Sequence, residues 1–183
     1  MARPWQVLAR RVLLDRAPWI TVWEERVQLP NGVVIDDYFG LALRSWVAVF
    51  AVTDDARVPL VYQYRHGVGA AILELPAGYV EDGEAPVAAA QRELREEVGC
   101  VARSFRKLGS FHMMPERSQM TMHLVLARGA RLVGGQQLEA TEDIAVRWLS
   151  LDEVYEAWRA GQIPSAPHAA AVALGLDAMK AHR

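Results

Sequence analysis

Residues 78–100 run Gly78-Tyr-Val-Glu-Asp-Gly-Glu84, seven residues, then Arg92-Glu93-Leu94-Arg95-Glu96-Glu97-Val98-Gly99-Cys100. Glu93, Glu96 and Glu97 stand at i, i+3 and i+4, a spacing that stacks all three carboxylates on one face of a helix. Like charges within about 6 Å repel one another unless a cation sits among them. Oxygen-only donors of this kind suit Mg²⁺ or Mn²⁺. On the opposite face Val87, Ala90, Leu94 and Val98 form a stripe for docking on a core. Taken alone, the glutamates could equally be a solvated acidic helix face.

Such a helix needs a scaffold, and the flanking sequence supplies strands. The periodicity predicts a helix over Glu84 to Val98, with Gly99 as its left-handed stop. Before it lie strand-like runs at Trp46 to Val52 and Leu60 to Tyr64, then Ile72-Leu73-Glu74-Leu75-Pro76-Ala77-Gly78. After it come strands near Ser104 to His112, Met120 to Ala127 and Ile144 to Leu149. Ser150 with Glu153 makes a capping box for a helix over Leu151 to Ala160, and an Ala-rich helix is expected over Pro167 to Ala181. The leader, residues 5 to 43, reads as antiparallel β. Gln6 to Leu14 and Ile20 to Leu29 are followed by Asn31-Gly32 and Val33 to Leu43, and an Asn-Gly pair between such runs signals a hairpin. The fold class is α+β with a mixed sheet. The expected organisation is a β-rich region over 1–44, for dimerisation, and a main domain over 45–183.

With 183 residues, the chain is long enough to bury roughly 70% of its unfolded surface. A net charge of −2 and a pI near 6.2 argue against nucleic acid held through its phosphates. The single cysteine, Cys100, allows no internal disulfide and fits a reducing compartment. Arg10, Arg11, Asp15 and Arg16 interrupt any apolar leader segment, and no apolar run approaches a membrane span. The expected location is the cytoplasm.

Taken whole, residues 78–100 resemble the Nudix box, G-x5-E-x7-R-E-U-x-E-E-x-G-U with U a bulky apolar residue. Gly78, Glu84, Arg92, Glu93, Leu94, Glu96, Glu97 and Gly99 match in place, and Cys100 stands where an aliphatic residue is usual. The resemblance implies an α/β/α sandwich and a Mg²⁺- or Mn²⁺-dependent hydrolase that cuts the pyrophosphate of a nucleoside diphosphate linked to another moiety. It implies Glu93 and Glu97 as metal ligands, Glu96 directly or through water, and the Ala77 carbonyl as a further ligand. Arg92 and Glu84 are implied as an ion pair orienting those carboxylates.

Within the family, Gln63-Tyr64-Arg65 followed by Glu74-Leu75-Pro76-Ala77-Gly78 resembles a run of the ADP-ribose pyrophosphatases, as does Pro115, 16 residues beyond Gly99. That resemblance implies substrate contacts from Arg65, Glu74 and Pro115, and a homodimer built through the leader. Arg65 could bind a phosphate as a planar fork or form a surface salt bridge. Glu142 stands where the subgroup carries a loop glutamate that helps metal binding or activates water, with Glu139 in reserve. Glu97, Glu96 and Glu142 are thus the expected catalytic set. The segment Pro115 to His123 keeps Ser118 and His123 but lacks the subgroup's glycine and acids. Arg117, Met113, Met114 and Met120 stand there instead, which points either to a different terminal group or to core filling.

The expected function is hydrolysis of ADP-ribose or a related nucleoside diphosphate sugar to a nucleoside monophosphate and a sugar phosphate. The alternatives are another nucleotide sugar such as GDP-mannose, or a nucleotide sensor without turnover. The full set of Glu93, Glu96 and Glu97 favours catalysis. Trp46, Phe39 and Tyr38 are unranked candidates for stacking on the base.

Overall fold

The computed structural model describes residues 3–180, in two compact units. One comprises the chain up to Ser45 together with His112–Thr121, and the other comprises Trp46–Phe111 and the chain from Met122 onward.

The first unit is built on an antiparallel sheet in the order β1 (Gln6–Arg16), β2 (Ile20–Gln28), β3 (Val34–Ala42). The Asn-Gly hairpin forms where its chemistry predicts. Gly32 takes φ 88°, its N–H donates to Leu29 O at 2.9 Å, and Asn31 Oδ1 accepts from Val33 N at 3.1 Å. Segment 112–121 joins this unit through β3. Leu41 N donates to Arg117 O at 2.8 Å, Arg117 Nη1 donates to Phe39 O at 3.1 Å, and the Tyr38 hydroxyl donates to the Glu116 carbonyl. Pro115 sits in an exposed turn closed by Arg117 N on Met114 O at 2.9 Å.

The second unit carries two sheets. In one, β4 (Trp46–Thr53) runs parallel to β10 (Thr121–Leu132). It is flanked by β7 (Ala77–Tyr79) on β4 and β8 (Cys100–Val101) on β10, both antiparallel, and β9 (Ser104–His112) also pairs with β10. The other is antiparallel, in the order β11 (Ile144–Ser150), β5 (Arg57–Arg65), β6 (Ala70–Glu74). The helices are α1 (Pro86–Val98), α2 (Leu151–Arg159) and α3 (Ala166–Lys180). Alternation along β4 separates them. Val47, Val49 and Ala51 share one core with Ala89, Ala90, Leu94 and Val98 of α1. Phe50 points the other way and meets α3 at Gly175, where a Cβ would overlap its ring. A mixed sheet with helices on both faces is the expected Nudix architecture, preceded by the expected antiparallel leader.

Local chemistry moves one boundary. The acidic helix begins at Pro86 rather than Glu84, because a residue before proline is held extended, and Ala85 has φ −76° and ψ 142°. It ends as predicted on Gly99, at φ 73°. The capping box forms as read, with Glu153 N on Ser150 Oγ at 3.2 Å and Ser150 N on Glu153 Oε2 at 2.7 Å. Ala181, the expected end of the last helix, lies outside the described residues. Leu94 is fully buried where α1 meets β4. Leu94→Ala is expected to cost about 2–5 kcal/mol in urea unfolding.

Candidate active site

Strand β7 and helix α1 build the site between them. Antiparallel pairing of Ala77 with Ala48 and of Gly78 with Val47 lays β7 along β4. Ala77 N donates to Glu97 Oε2 at 2.8 Å. Gly78 is needed for space: a Cβ there would overlap the Glu93 carboxylate. The acidic face is therefore covered rather than open. Glu93 and Glu97 are 6% and 3% exposed, while Glu96 is partly exposed.

Burial dominates the electrostatics. Desolvation pushes the Glu97 carboxyl up to about 8, with the charges of Glu93 and Glu142 adding to it; the Ala77 N–H and the charge of Arg65 oppose the shift. Glu93 is also raised, first by desolvation and then by Glu96 and Glu142, against the hydrogen bond and charge of Arg92. The Glu142 charge is thus felt at both carboxylates. Its own loop is shaped by Glu139 N donating to Glu142 Oε2 at 2.8 Å.

Arg92 ties the site's edge together. Its Nε and Nη2 donate to Glu84 at 3.2 and 3.1 Å, Nη1 donates to Glu93 at 2.6 Å and Glu96 at 3.1 Å, and Nη2 also reaches Tyr79 O at 2.8 Å. The hydrogen bond from Arg92 holds the Glu84 carboxyl below its usual range. Arg92→Lys keeps the charge but loses the fork. It is expected to lower activity about 10–100-fold, read as kcat/KM.

Arg65, which pairs with Ala70, reaches back along the β5–β6 pair to Glu74, which pairs with Val61, with Nε to Oε2 at 2.7 Å. Two further residues carry no signal as single letters. Gln136 Nε2 donates to Glu97 O at 2.7 Å and Ile144 O at 3.0 Å, which ties the Glu142 loop to α1. His168 Nδ1 accepts from Leu75 N at 3.1 Å, beside the turn that leads to Ala77. Its position was legible in one respect: His168, Ala171, Val172 and Gly175 make up the buried stripe of α3 at i, i+3, i+4 and i+7. Of the base-stacking candidates, Trp46 packs on His168, with ring centroids 5.2 Å apart. Tyr38 belongs to the other unit, where the Arg117 guanidinium lies 5.2 Å from its ring centroid. Phe39 and Pro115 belong to that unit as well.

A profile of the NUDIX domain matches residues 42–169. The chain belongs to the Nudix hydrolase family. A second profile, the nucleoside diphosphate sugar hydrolase N-terminal domain, matches residues 5–39 of this Nudix hydrolase. Among similar proteins, a CMP-5'-(N-acetyl-N-hydroxy-3-aminopropyl)phosphonate hydrolase of Streptomyces rubellomurinus is 36% identical over 86% of this chain and 75% of its own. An ADP-ribose pyrophosphatase of Mycobacterium tuberculosis is 34% identical over 76% of this chain and 68% of its own. The Bacillus subtilis ADP-ribose pyrophosphatase is 32% identical over 75% and 80%. The fold also matches a crystal structure of an ADP compounds hydrolase, with a TM-score of 0.87 over 100% of this chain and 97% of that one, at 22% identity. This Nudix hydrolase is ADP-ribose pyrophosphatase-like.

The residues of this Nudix hydrolase fit the divalent cation its family implies. The donors are oxygen only, and two are desolvated carboxylates whose like charges a cation would offset. Among the described residues, no three acidic, imidazole or thiol groups already form a closed ligand cluster. Arg92 pairs with Glu93 and Glu96 at 2.6 and 3.1 Å.

Proposed function

We propose that this Nudix hydrolase cleaves the pyrophosphate bond of ADP-ribose or a related nucleoside diphosphate sugar in a Mg²⁺- or Mn²⁺-dependent reaction, giving a nucleoside monophosphate and a sugar phosphate. The observation that carries this reading is the pair of buried carboxylates Glu93 and Glu97 at the β7–α1 junction, both of which feel the charge of Glu142. Glu93, Glu97 and the Ala77 carbonyl would hold the cation, with Glu96 completing the set directly or through water. A bound divalent cation offsets pyrophosphate charge and lowers the pKa of the attacking water. Arg92 and Glu84 orient the carboxylates. Arg65, close enough for its charge to be felt at Glu97, grips a phosphate oxygen with its terminal guanidinium nitrogens. Glu142 takes the proton of the attacking water.

Two further parts of the reading concern setting and assembly. The exposed apolar residues of β1 and its neighbours, among them Val7, Val12, Leu14 and Trp19, suit a homodimer through the leader, and light scattering that reports a monomer at micromolar concentration would contradict it. Among the described residues no helix is long and apolar enough to cross a membrane, and the buried thiol of Cys100 suits a cytoplasmic setting.

A second reading takes a CMP-linked conjugate as substrate, because a relative covering 86% of the chain bears the name of a CMP-phosphonate hydrolase. The departure of residues 115–123 from the ADP-ribose pyrophosphatase pattern is compatible with either terminal group. Phosphatase-coupled turnover of ADP-ribose, GDP-mannose, UDP-glucose and a CMP-phosphonate conjugate, with and without Mg²⁺, separates the two. Preference for ADP-ribose supports the first reading, preference for the CMP conjugate replaces it, and silence on all four supports a sensor.

A further inference from the structure

Glu74 ends β6 and is only 4% exposed. A carboxylate withdrawn that far from water needs a partner on each oxygen. Arg65 Nε supplies one, at 2.7 Å from Oε2. The other oxygen, Oε1, lies 3.3 Å from His168 Nε2. His168 is itself 3% exposed. Because its Nδ1 accepts from Leu75 N–H, that nitrogen carries no proton, and the proton of the neutral ring belongs on Nε2, facing Glu74. The ring stays neutral because burial, helped by the Arg65 charge, pushes its pKa down to about 3. Trp46 lies over it at an interplanar angle of 30°. The close approach of α3 to Phe50 at Gly175 further limits how the ring can shift.

One imidazole from the last helix therefore meets two groups far earlier in the chain, Leu75, 93 residues before it, and the adjacent Glu74. One is the carboxylate that holds Arg65. The other is the backbone of the turn that delivers Ala77 to Glu97. We propose that His168 is a positioning residue of the active site, fixing Arg65 through Glu74 and the Leu75–Ala77 turn through the Leu75 amide. The inference rests on the roles proposed above for Arg65 and Ala77. The chemistry it requires is an acceptor at Nδ1 and a donor at Nε2 held together, which an apolar ring of the same size cannot provide.

The full-length chain, labelled with ¹⁵N, provides a test that does not depend on the substrate. The Arg65 Nε–H signal, assigned by its disappearance in Arg65→Lys, should exchange slowly with solvent. His168→Phe should speed that exchange about tenfold or more, as expected when a supporting hydrogen-bond partner is lost. His168→Gln, whose amide can reach Glu74, should restore much of it. If His168→Phe does not fold, His168→Asn carries the same test, since it keeps an acceptor for Leu75 but falls short of Glu74. Calorimetry of metal-free ADP-ribose binding adds a thermodynamic cycle. His168→Phe should weaken binding about tenfold alone and not at all in an Arg65→Ala background. Unchanged Arg65 exchange in the folded variant, or losses that multiply across the cycle, would overturn the proposal. Wild-type protein that binds no ADP-ribose would contradict the substrate reading instead, and the exchange rates would still decide the role of His168.

Discussion

Glu97→Gln is expected to lower kcat about a thousandfold while the protein remains folded. The amide has the shape of the carboxylate, and its oxygen can still accept from Ala77 N–H, the bond that joins α1 to β7. What it lacks is the charge. On the proposed assignment Glu97 is a ligand of the divalent cation, and the substitution removes one of the few anionic donors at a desolvated position. A loss of about 4 kcal/mol in transition-state stabilisation corresponds to roughly three decades in rate. The check is kcat at saturating Mg²⁺, with circular dichroism and urea unfolding run alongside. A variant within tenfold of wild type would remove Glu97 from the reaction. An unfolded one would make the Ala77 contact structural above all.

The same carboxylate predicts how stability without divalent cation depends on pH. The folded protein raises Glu97 from 4.5 to about 8, so across that interval the folded state holds a proton that the unfolded chain has released. Stability contributed this way is fully present below about 4.5 and falls as pH rises, until it is lost above about 8. A shift of that size corresponds to an ionisation penalty of order 5 kcal/mol. In chelator, the melting temperature should fall steadily between the two values. Mg²⁺ should restore most of the loss at the alkaline end, by binding the folded state that presents the charged donors. Glu97→Gln should flatten the curve in chelator and abolish most of the Mg²⁺ response. A wild-type profile that is level with pH in chelator would contradict the burial account of the site.

These expectations show which parts of the molecule its sequence made legible. Spacing alone placed Glu93, Glu96 and Glu97 on one side of a helix, because helical geometry is local, and Asn31-Gly32 and Ser150 with Glu153 were legible for the same reason. Spacing could not show that β7 lies across that face, since this depends on pairing Ala77 with Ala48. Of the glutamates read as possibly solvated, Glu93 and Glu97 are therefore buried, and Glu96 is partly exposed. The grip of Arg92 on Glu84, Glu93, Glu96 and the Tyr79 carbonyl depends on how the 79–85 loop folds back. Segment 112–121 joins the first unit through backbone bonds to β3, such as Leu41 N to Arg117 O, and residue type hardly encodes backbone pairing at that separation. Gln136 and His168 act through partners far along the chain, where single letters carry no spacing rule. Only the buried stripe of α3 marked His168 as unusual, a polar ring where the neighbouring positions are Ala, Val and Gly.

The most direct test of the central claim is the ³¹P NMR spectrum of ADP-ribose incubated with the full-length protein, in Mg²⁺ and again in chelator. The account predicts that in Mg²⁺ the diphosphate signals give way to two phosphomonoester signals, from AMP and ribose 5-phosphate, and that in chelator the diphosphate signals persist. A diphosphate that survives Mg²⁺, or one that is cleaved equally well in chelator, would contradict it.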